Sequence, residues 1–462
     1  MRTGLPMTLA SDINLQLGTP TIGLTAVVIS SGARTKLPSV LDALPNSRHV
    51  AVLMDDRPYR TSNGDLFKSA LLDMIANGRV VHTTVLTGDV HADETTVKTA
   101  RAGCAQADAV VTIGSGTLCD IGKVAAGDKP HIVVQTAASV NGFADDQSVL
   151  LINGVKRTMH STWPHTLIVD EEILAGAPPA LNRSGFGDMI SMFTAPADWY
   201  LSSLFAMDRG FSAGLATMTR RYGNDLLRIA SGVGLSVPAD LATLAEFVTL
   251  SGLSMGAAGQ TSPSSGMEHT ISHMLDMAHG AQNRPTAQHG EQVGVATVLV
   301  SLLWRRTLER IASGTLPPLT LPSPDEARSA VYSAFSWMDQ AGVVAGECWS
   351  DYAKKLQHLD STDAPARLHQ AIQDWSSHTQ ALNMLLEQPE QILRALKDAG
   401  APVRFSELSH PATADTVTWA LANCHLMRNR FTIADLAFLT GTWTFEDVVA
   451  VLDEAAQLSG GA

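Results

Sequence analysis

The hydrophobic period of this sequence changes near residue 175, and that change restricts the folds open to it. Between residues 24 and 135 short β-branched runs alternate with longer stretches of helical character: "AVVIS" at 26–30, "HVAVLM" at 49–54, "VVHTTVL" at 80–86, "DAVVTIG" at 108–114 and "HIVVQT" at 131–136. Such alternation predicts βαβ units in a parallel sheet. Two more strand-like runs follow, "SVLLING" near 148–154 and "HTLIVD" near 165–170. Beyond 175 the apolar residues recur at helical spacing through "DMISMFTAPADWYLSSLFAM" and "VGVATVLVSLLWRRTLERIA", so the rest is expected to be nearly all helix. The predicted architecture is an α/β domain over 1–175 followed by an all-α domain over 176–462. A chain of 462 residues is also too long for one ordinary hydrophobic core, which independently calls for two domains. "GTLPPLTLPSPDEARS" reads as a loop between helices and "LSGGA" as a frayed tail.

Charge and cysteine usage exclude several classes of function. With 32 basic against 45 acidic residues the formal net charge is −13, which repels a phosphate backbone, so nucleic acid is not an expected partner. Cys104, Cys119, Cys348 and Cys424 are scattered without C-x-x-C spacing, so neither a disulfide framework nor a thiolate zinc site is indicated. A reducing, cytoplasmic setting is expected. No run of about 20 apolar residues is evident in the sequence, so membrane insertion is not expected. Small-molecule partners and a homo-oligomer, a dimer or larger, are.

Two loops carry a nucleotide signal. "TIGSGTLCDIGKVAA" places Gly114, Ser115 and Gly116 after an apolar strand and before a helix, where close backbone approach and the positive end of the helix stabilise a pyrophosphate. A Gly-Ser-Gly after a strand is also simply a tight turn, and the full G-x-G-x-x-G fingerprint is missing. "TAASVNG" at 136–142 follows the next strand, on the edge where ligands of open α/β sheets bind. Asp55 and Asp56 close the strand "HVAVLM". An acid there accepts from a ribose hydroxyl and opposes a 2′-phosphate, favouring NAD with NADP as the alternative, although strand-end acids also form turns.

Four of the fifteen histidines, His269, His273, His279 and His289, fall in "SSGMEHTISHMLDMAHGAQNRPTAQHGEQVG". Ser265 and Glu268 fit a capping box that would start a helix, which stacks His269 and His273 on one face. His289 opens the next helix after a proline-containing turn. Two imidazoles suit zinc, nickel or iron but need a carboxylate beside them. "SGFGDMIS" offers Asp188, expected in the first turn of a helix, where an acid is also stabilised by the macrodipole alone. Each histidine alone also fits as a hydrogen-bonded core or surface imidazole.

Taken together, "GSGTLCDIGK", "TAASVNG", "SGFGDM", "SPSSGMEHTISH" and "HGEQVGVAT" resemble, in order and spacing, the sn-glycerol-1-phosphate dehydrogenases of the AraM-like group, within the iron-containing alcohol dehydrogenase and dehydroquinate synthase-like superfamily. The resemblance covers roughly residues 24–300, and more loosely "WALANCHLMRNRFTIADLAFLTG". It implies a dehydroquinate synthase-like fold, an interdomain cleft, NAD(P), and one divalent metal (zinc, nickel or iron) held by Asp188, His269 and His289. It further implies that Gly114, Ser115, Gly116 and Thr117 form the pyrophosphate loop with Asp120 and Lys123 behind it, that Thr136 and Ser139 contact the cofactor, and that His273 contacts substrate. His279 is left without a role.

Two departures stand out. Asn141 occupies the Asp position of the "TAAS-x-D-G" pattern, and Asp145 replaces a serine, so that Asp145 and Asp146 are expected to add negative charge beside the nicotinamide. The implied activity is metal-dependent oxidoreduction of a secondary alcohol and ketone, with a glycerol-1-phosphate-like polyol phosphate as substrate and Asn141 and His273 at the reacting end. A cyclising lyase of the dehydroquinate synthase type and a degenerate nucleotide-binding relative are the alternatives.

Overall fold

The computed structural model describes residues 22–152, 155–208 and 210–460. Two units are distinguishable: the first runs to Met189 and takes in Arg228–Gln260, and the second comprises Ile190–Leu227 and the chain from Thr261 onward.

In the first unit the strand-like runs become β1 (Ala26–Ser30), β2 (His49–Asp55), β3 (Val80–Leu86), β4 (Ala109–Gly114), β5 (His131–Gln135), β6 (Gln147–Ile152), β7 (Val155–His160) and β8 (Thr166–Asp170). Six of them form one sheet in the order β1-β8-β5-β4-β2-β3, with every pairing parallel. Side chains alternate across a strand, and here both faces are covered. Val50, Val52, Val111 and Ile113 pack with Leu37, Leu71 and Ile75 on one side. Ala51, Leu53 and Val110 pack with Val97, Ala100 and Ile121 on the other. This double burial is why β4 and β5 read as unbroken apolar runs.

β6 and β7 pair antiparallel as a separate hairpin. β7 was not expected, since "VKRTMH" has no apolar alternation, and Asn153 and Gly154 of the expected "SVLLING" strand lie outside the described residues.

The strand order fixes where a ligand can sit. The chain moves from β2 outward to β3 and then returns past β2 to β4, so the order reverses between β2 and β4. Open α/β sheets bind ligands at the carboxyl ends of the strands at such a reversal. Those ends are Asp55 and Gly114.

Helices follow as expected. α1 (Gly116–Ala126) leaves β4 directly, and α2 (Pro179–Met189) closes the first stretch of this unit. α2 begins nine residues before Asp188, because Pro179 sits well at a helix start. Asp188 is therefore in the last turn of α2, not the first as expected, and the macrodipole there disfavours rather than stabilises its charge. α3 (Pro238–Ala258) is long and apolar enough to cross a membrane, contrary to the reading of the sequence, yet 78% of its most apolar window is buried within the protein. It packs on β1 and β8 as a core helix.

Among its described residues the second unit consists of helices and connecting loops, with no strand. α4 (Met267–Ala281) and α5 (His289–Ala312) pack against each other across the "QNRPTAQ" turn. The proline-rich stretch is loop only as far as Ser323, which forms a capping box with Glu326 and starts the helix Pro324–Phe335. The "LSGGA" tail begins inside the helix Phe445–Ser459, and its last two residues lie outside the described ones.

Candidate functional site

Gly114, Ser115 and Gly116 connect β4 to α1. Ser115 is the N-cap but provides no side-chain cap, so the first N–H groups of α1 point out unsatisfied by it, with the positive end of the helix dipole behind them. Thr117, in the first turn, is exposed. This is the environment a pyrophosphate requires. The second loop is fastened beside the first. Thr136 N–H donates to the Gly114 carbonyl at 3.0 Å, and Gly116 N–H lies 3.5 Å from Ser139 Oγ. A side chain at Gly116 would strike Val140, so the close fit of the two loops explains that glycine.

Asp55 and Asp56 differ in their surroundings. Asp55 is buried; its Oδ2 accepts from the Tyr59 hydroxyl at 2.7 Å and its Oδ1 pairs with Lys68 at 2.9 Å. Lys68 Nζ also stands 4.1 Å over the Tyr59 ring. The charge expected to repel a 2′-phosphate is thus matched by a lysine. Asp56 is exposed, with Gly88 N–H at 3.4 Å.

Asp120, Lys123 and Asp145 form an interior cluster. Lys123 is fully buried, pairs with Asp145 at 2.6 Å and Asp120 at 3.4 Å, and donates to the Gly142 and Gln147 carbonyls. Burial opposes the Lys123 charge, but Asp145 and then Asp120 outweigh it and hold the ammonium above the usual lysine range. Asp120 accepts from Val149 N–H at 3.2 Å, and burial, only partly offset by Lys123, pushes it up to about 6. Asp145 therefore balances a buried cation, and the negative charge it was expected to contribute beside the nicotinamide is neutralised at its source. The cluster clamps the loop after β5 and the start of β6 to α1.

That loop also meets α2. Asn182 Oδ1 accepts from Ala138 N–H at 3.0 Å, and Asp188 Oδ2 accepts from Asn141 N–H at 2.8 Å. A Cβ at Gly185 would collide with the Ala138 carbonyl, so the glycine of "SGFGD" is needed for this approach. Asp188 is wholly buried, and the chain runs on from it without a break into the 3-10 turn Ile190–Phe193.

The histidines lie on α4 and α5. The expected capping box at Ser265 does not form: the N-cap is Gly266, with no side-chain cap of its own. Ser265 is instead engaged by Arg430. The start of α4 is held by two buried acids, Glu268 Oε1 accepting from Gly266 N–H at 2.6 Å and Asp198 Oδ2 from Met267 N–H at 2.8 Å. Burial, with Glu268 adding to it, holds the Asp198 carboxyl well above the usual carboxylate range. The ring centroids of His269 and His289 are 5.2 Å apart, and those of His273 and His289 5.9 Å. His279 lies two turns further along α4, where its Nδ1 is 2.9 Å from the Pro285 carbonyl and fastens the turn before α5.

Asp188, His269 and His289 each offer one ligand atom, and these atoms lie within 4.8 Å of one another. One carboxylate and two imidazoles form a borderline donor set that suits zinc, nickel or ferrous iron and leaves coordination positions for substrate. The non-ligating atoms are also held. His269 Nδ1 is 2.9 Å from Glu268 Oε1, and His289 Nδ1 is 3.1 Å from Ser272 Oγ, which donates onward to Gln292 Oε1 at 2.6 Å. Reading the sequence missed Glu268, Ser272 and Gln292 in this role, as it did Tyr59 and Lys68. One signal was available: Ser272 and Gln292 each follow a candidate ligand histidine by three residues, one helical turn.

The chain resembles known proteins in sequence and in fold. A sequence profile described as iron-containing alcohol dehydrogenase matches residues 28–178. The glycerol-1-phosphate dehydrogenase [NAD(P)+] of Bacillus subtilis (strain 168) is 29% identical over 303 residues, 65% of this chain and 75% of that protein. Its namesake in Methanococcoides burtonii is 35% identical over 195 residues, 41% of this chain and 53% of that protein. The crystal structure of glycerol dehydrogenase from Schizosaccharomyces pombe matches the fold with a TM-score of 0.56 at 14% identity, covering 94% of this chain and 91% of that one. The chain is thus similar in sequence to the iron-containing alcohol dehydrogenases over residues 28–178 and to a glycerol-1-phosphate dehydrogenase over 65% of its length, and it shares the fold of a glycerol dehydrogenase.

Proposed function

We propose that this protein catalyses reversible hydride transfer between NAD(P) and a secondary alcohol or its ketone, with a glycerol-1-phosphate-like polyol phosphate as substrate and one divalent metal required. The observation that carries the reading is the convergence of Asp188, His269 and His289 within 4.8 Å, each with one polar atom close to a hydrogen-bond partner. A divalent cation held by these three would supply Lewis acidity to the reacting C–O bond, and NAD(P) the hydride-accepting ring.

The chain's own residues bind and orient. The N–H groups at the start of α1, with Thr117, bind the pyrophosphate, and Thr136 and Ser139 hold the loop over it. His273, one helical turn beyond His269, orients the substrate hydroxyl and passes its proton toward solvent. Asn141 faces the substrate with an amide that donates as well as accepts.

All four cysteines are buried free thiols, which supports a reducing, cytoplasmic setting. The test is NADH and NADPH oxidation with a panel of ketones and ketose phosphates, on protein reconstituted separately with zinc, nickel and iron. Continuous, stoichiometric oxidation with any ketone or ketose phosphate of the panel supports the reading. A single burst of cofactor turnover marks a cyclising lyase instead, and no turnover with any ketone or metal overturns it.

A further inference from the structure

Hydrogen-bond direction makes the two imidazoles unequal. The Glu268 carboxylate is fully buried and, when ionised, can only accept; it takes N–H from Gly266 on Oε1 and O–H from Thr194 on Oε2 at 2.9 Å. His269 Nδ1, 2.9 Å from the same Oε1, must therefore carry its proton, which leaves the ring lone pair on Nε2. On the other helix the direction is set from the far end. Asp276 Oδ1 accepts from Gln292 Nε2 at 3.1 Å, which turns Gln292 Oε1 toward Ser272. Ser272 gives its proton to that oxygen at 2.6 Å. Its Oγ can then only accept from His289 Nδ1 at 3.1 Å, and His289 likewise keeps its lone pair on Nε2.

We propose that Glu268 and Ser272 are positioning residues of the metal centre and grade its two imidazoles, His269 being the strong donor because a buried anion stands behind it and His289 the weaker because a neutral hydroxyl does. The proposal rests on the metal reading above. Partners of this kind fix tautomer and ring orientation and raise ligand basicity, and losing one lowers metal affinity by roughly 10–100-fold. Glu268→Gln is the informative change at the first position, because an amide can keep all three contacts if the Thr194 hydroxyl turns to accept, so only the charge is lost. At the second position Ser272→Ala removes the partner of His289 Nδ1 and of the buried Gln292 Oε1, while Ser272→Thr keeps the hydroxyl.

The experiment measures zinc affinity of the full chain by chelator competition, with the visible spectrum of the cobalt(II) form as a second readout. Ser272→Ala is expected to bind zinc about tenfold more weakly, Ser272→Thr to recover most of that loss, and Glu268→Gln to lose more than Ser272→Ala while its cobalt bands move in energy. Gln292→Met, which removes the acceptor for Ser272 and the donor to Asp276 but leaves the Ser272 hydroxyl in place, is expected to weaken zinc in the same direction and serves if Ser272→Ala does not fold. Parent-like affinity in Ser272→Ala or Gln292→Met, or equal losses in Ser272→Ala and Ser272→Thr, overturns the role of Ser272. A loss in Glu268→Gln no larger than in Ser272→Ala overturns the grading. A parent chain that binds neither zinc nor cobalt overturns the metal reading and this inference with it.

Discussion

Asn141 holds Asp188 with its main chain: the Asn141 N–H donates to Asp188 Oδ2 at 2.8 Å, while the side-chain Nδ2 is buried with no hydrogen-bond partner among the described residues. Orientation of the carboxylate therefore does not depend on the side chain of residue 141.

Asn141→Asp should accordingly spare the metal and change the substrate. The backbone bond survives, and a donor amide is replaced by a pure acceptor suited to a substrate hydroxyl. We expect dihydroxyacetone phosphate to be a poor substrate of the natural sequence and kcat/KM to rise about tenfold or more in the variant, roughly 1.4 kcal/mol of transition-state stabilisation, with zinc affinity unchanged. Efficient turnover by the natural sequence, unimproved in the variant, contradicts this.

Coenzyme preference should depend on Lys68. With Lys68 pairing Asp55 at 2.9 Å, the strand-end carboxylate is neutralised and a 2′-phosphate is tolerated; without it, the anion repels that phosphate. Lys68→Met is expected to weaken NADPH relative to NADH by about fivefold, on the order of 1 kcal/mol. Calorimetric titration with both coenzymes decides it, and parallel changes in the two affinities would place the ribose elsewhere.

The parallel sheet was legible because double burial writes each strand as an apolar run, and the two loops because they follow such runs at β4 and β5. What could not be read were pairings between residues far apart in sequence. Lys123 and Asp145 each look like surface charges until the fold buries them together, 2.6 Å apart. Lys68 pairs with an acid thirteen residues earlier. Asp188 lies at the other end of its helix from the one expected, because the helix Pro179–Met189 runs through Gly185 and Gly187, Gly185 allowing the close approach of the Ala138 carbonyl. Ser265 has the spacing of a capping box, but its hydroxyl is taken by Arg430, 165 residues later.

Acid should destabilise the first unit through His131. Burial first, and then the Lys123 charge, lower its pKa to about 3, and its Nε2 lies 2.8 Å from Thr112 Oγ1 in the sheet core. Because the folded value lies below the unfolded one, the stability contributed by neutral His131 is complete above about pH 6.5 and is lost progressively as pH falls toward 3. Between pH 7 and pH 5 this amounts to about 2 kcal/mol. Urea unfolding at the two pH values should show a loss of that order in the parent that is absent in His131→Gln. Equal losses in both would assign the acid sensitivity to other groups.

Metal content of the purified chain bears most directly on the central claim. Elemental analysis of the parent, Asp188→Ala and His269→Ala, after reconstitution with zinc and removal of excess, is expected to give about one equivalent per chain in the parent and almost none in either variant, since loss of one of three protein ligands abolishes tight binding. Full occupancy in both variants would contradict the assignment of Asp188, His269 and His289 as the metal centre.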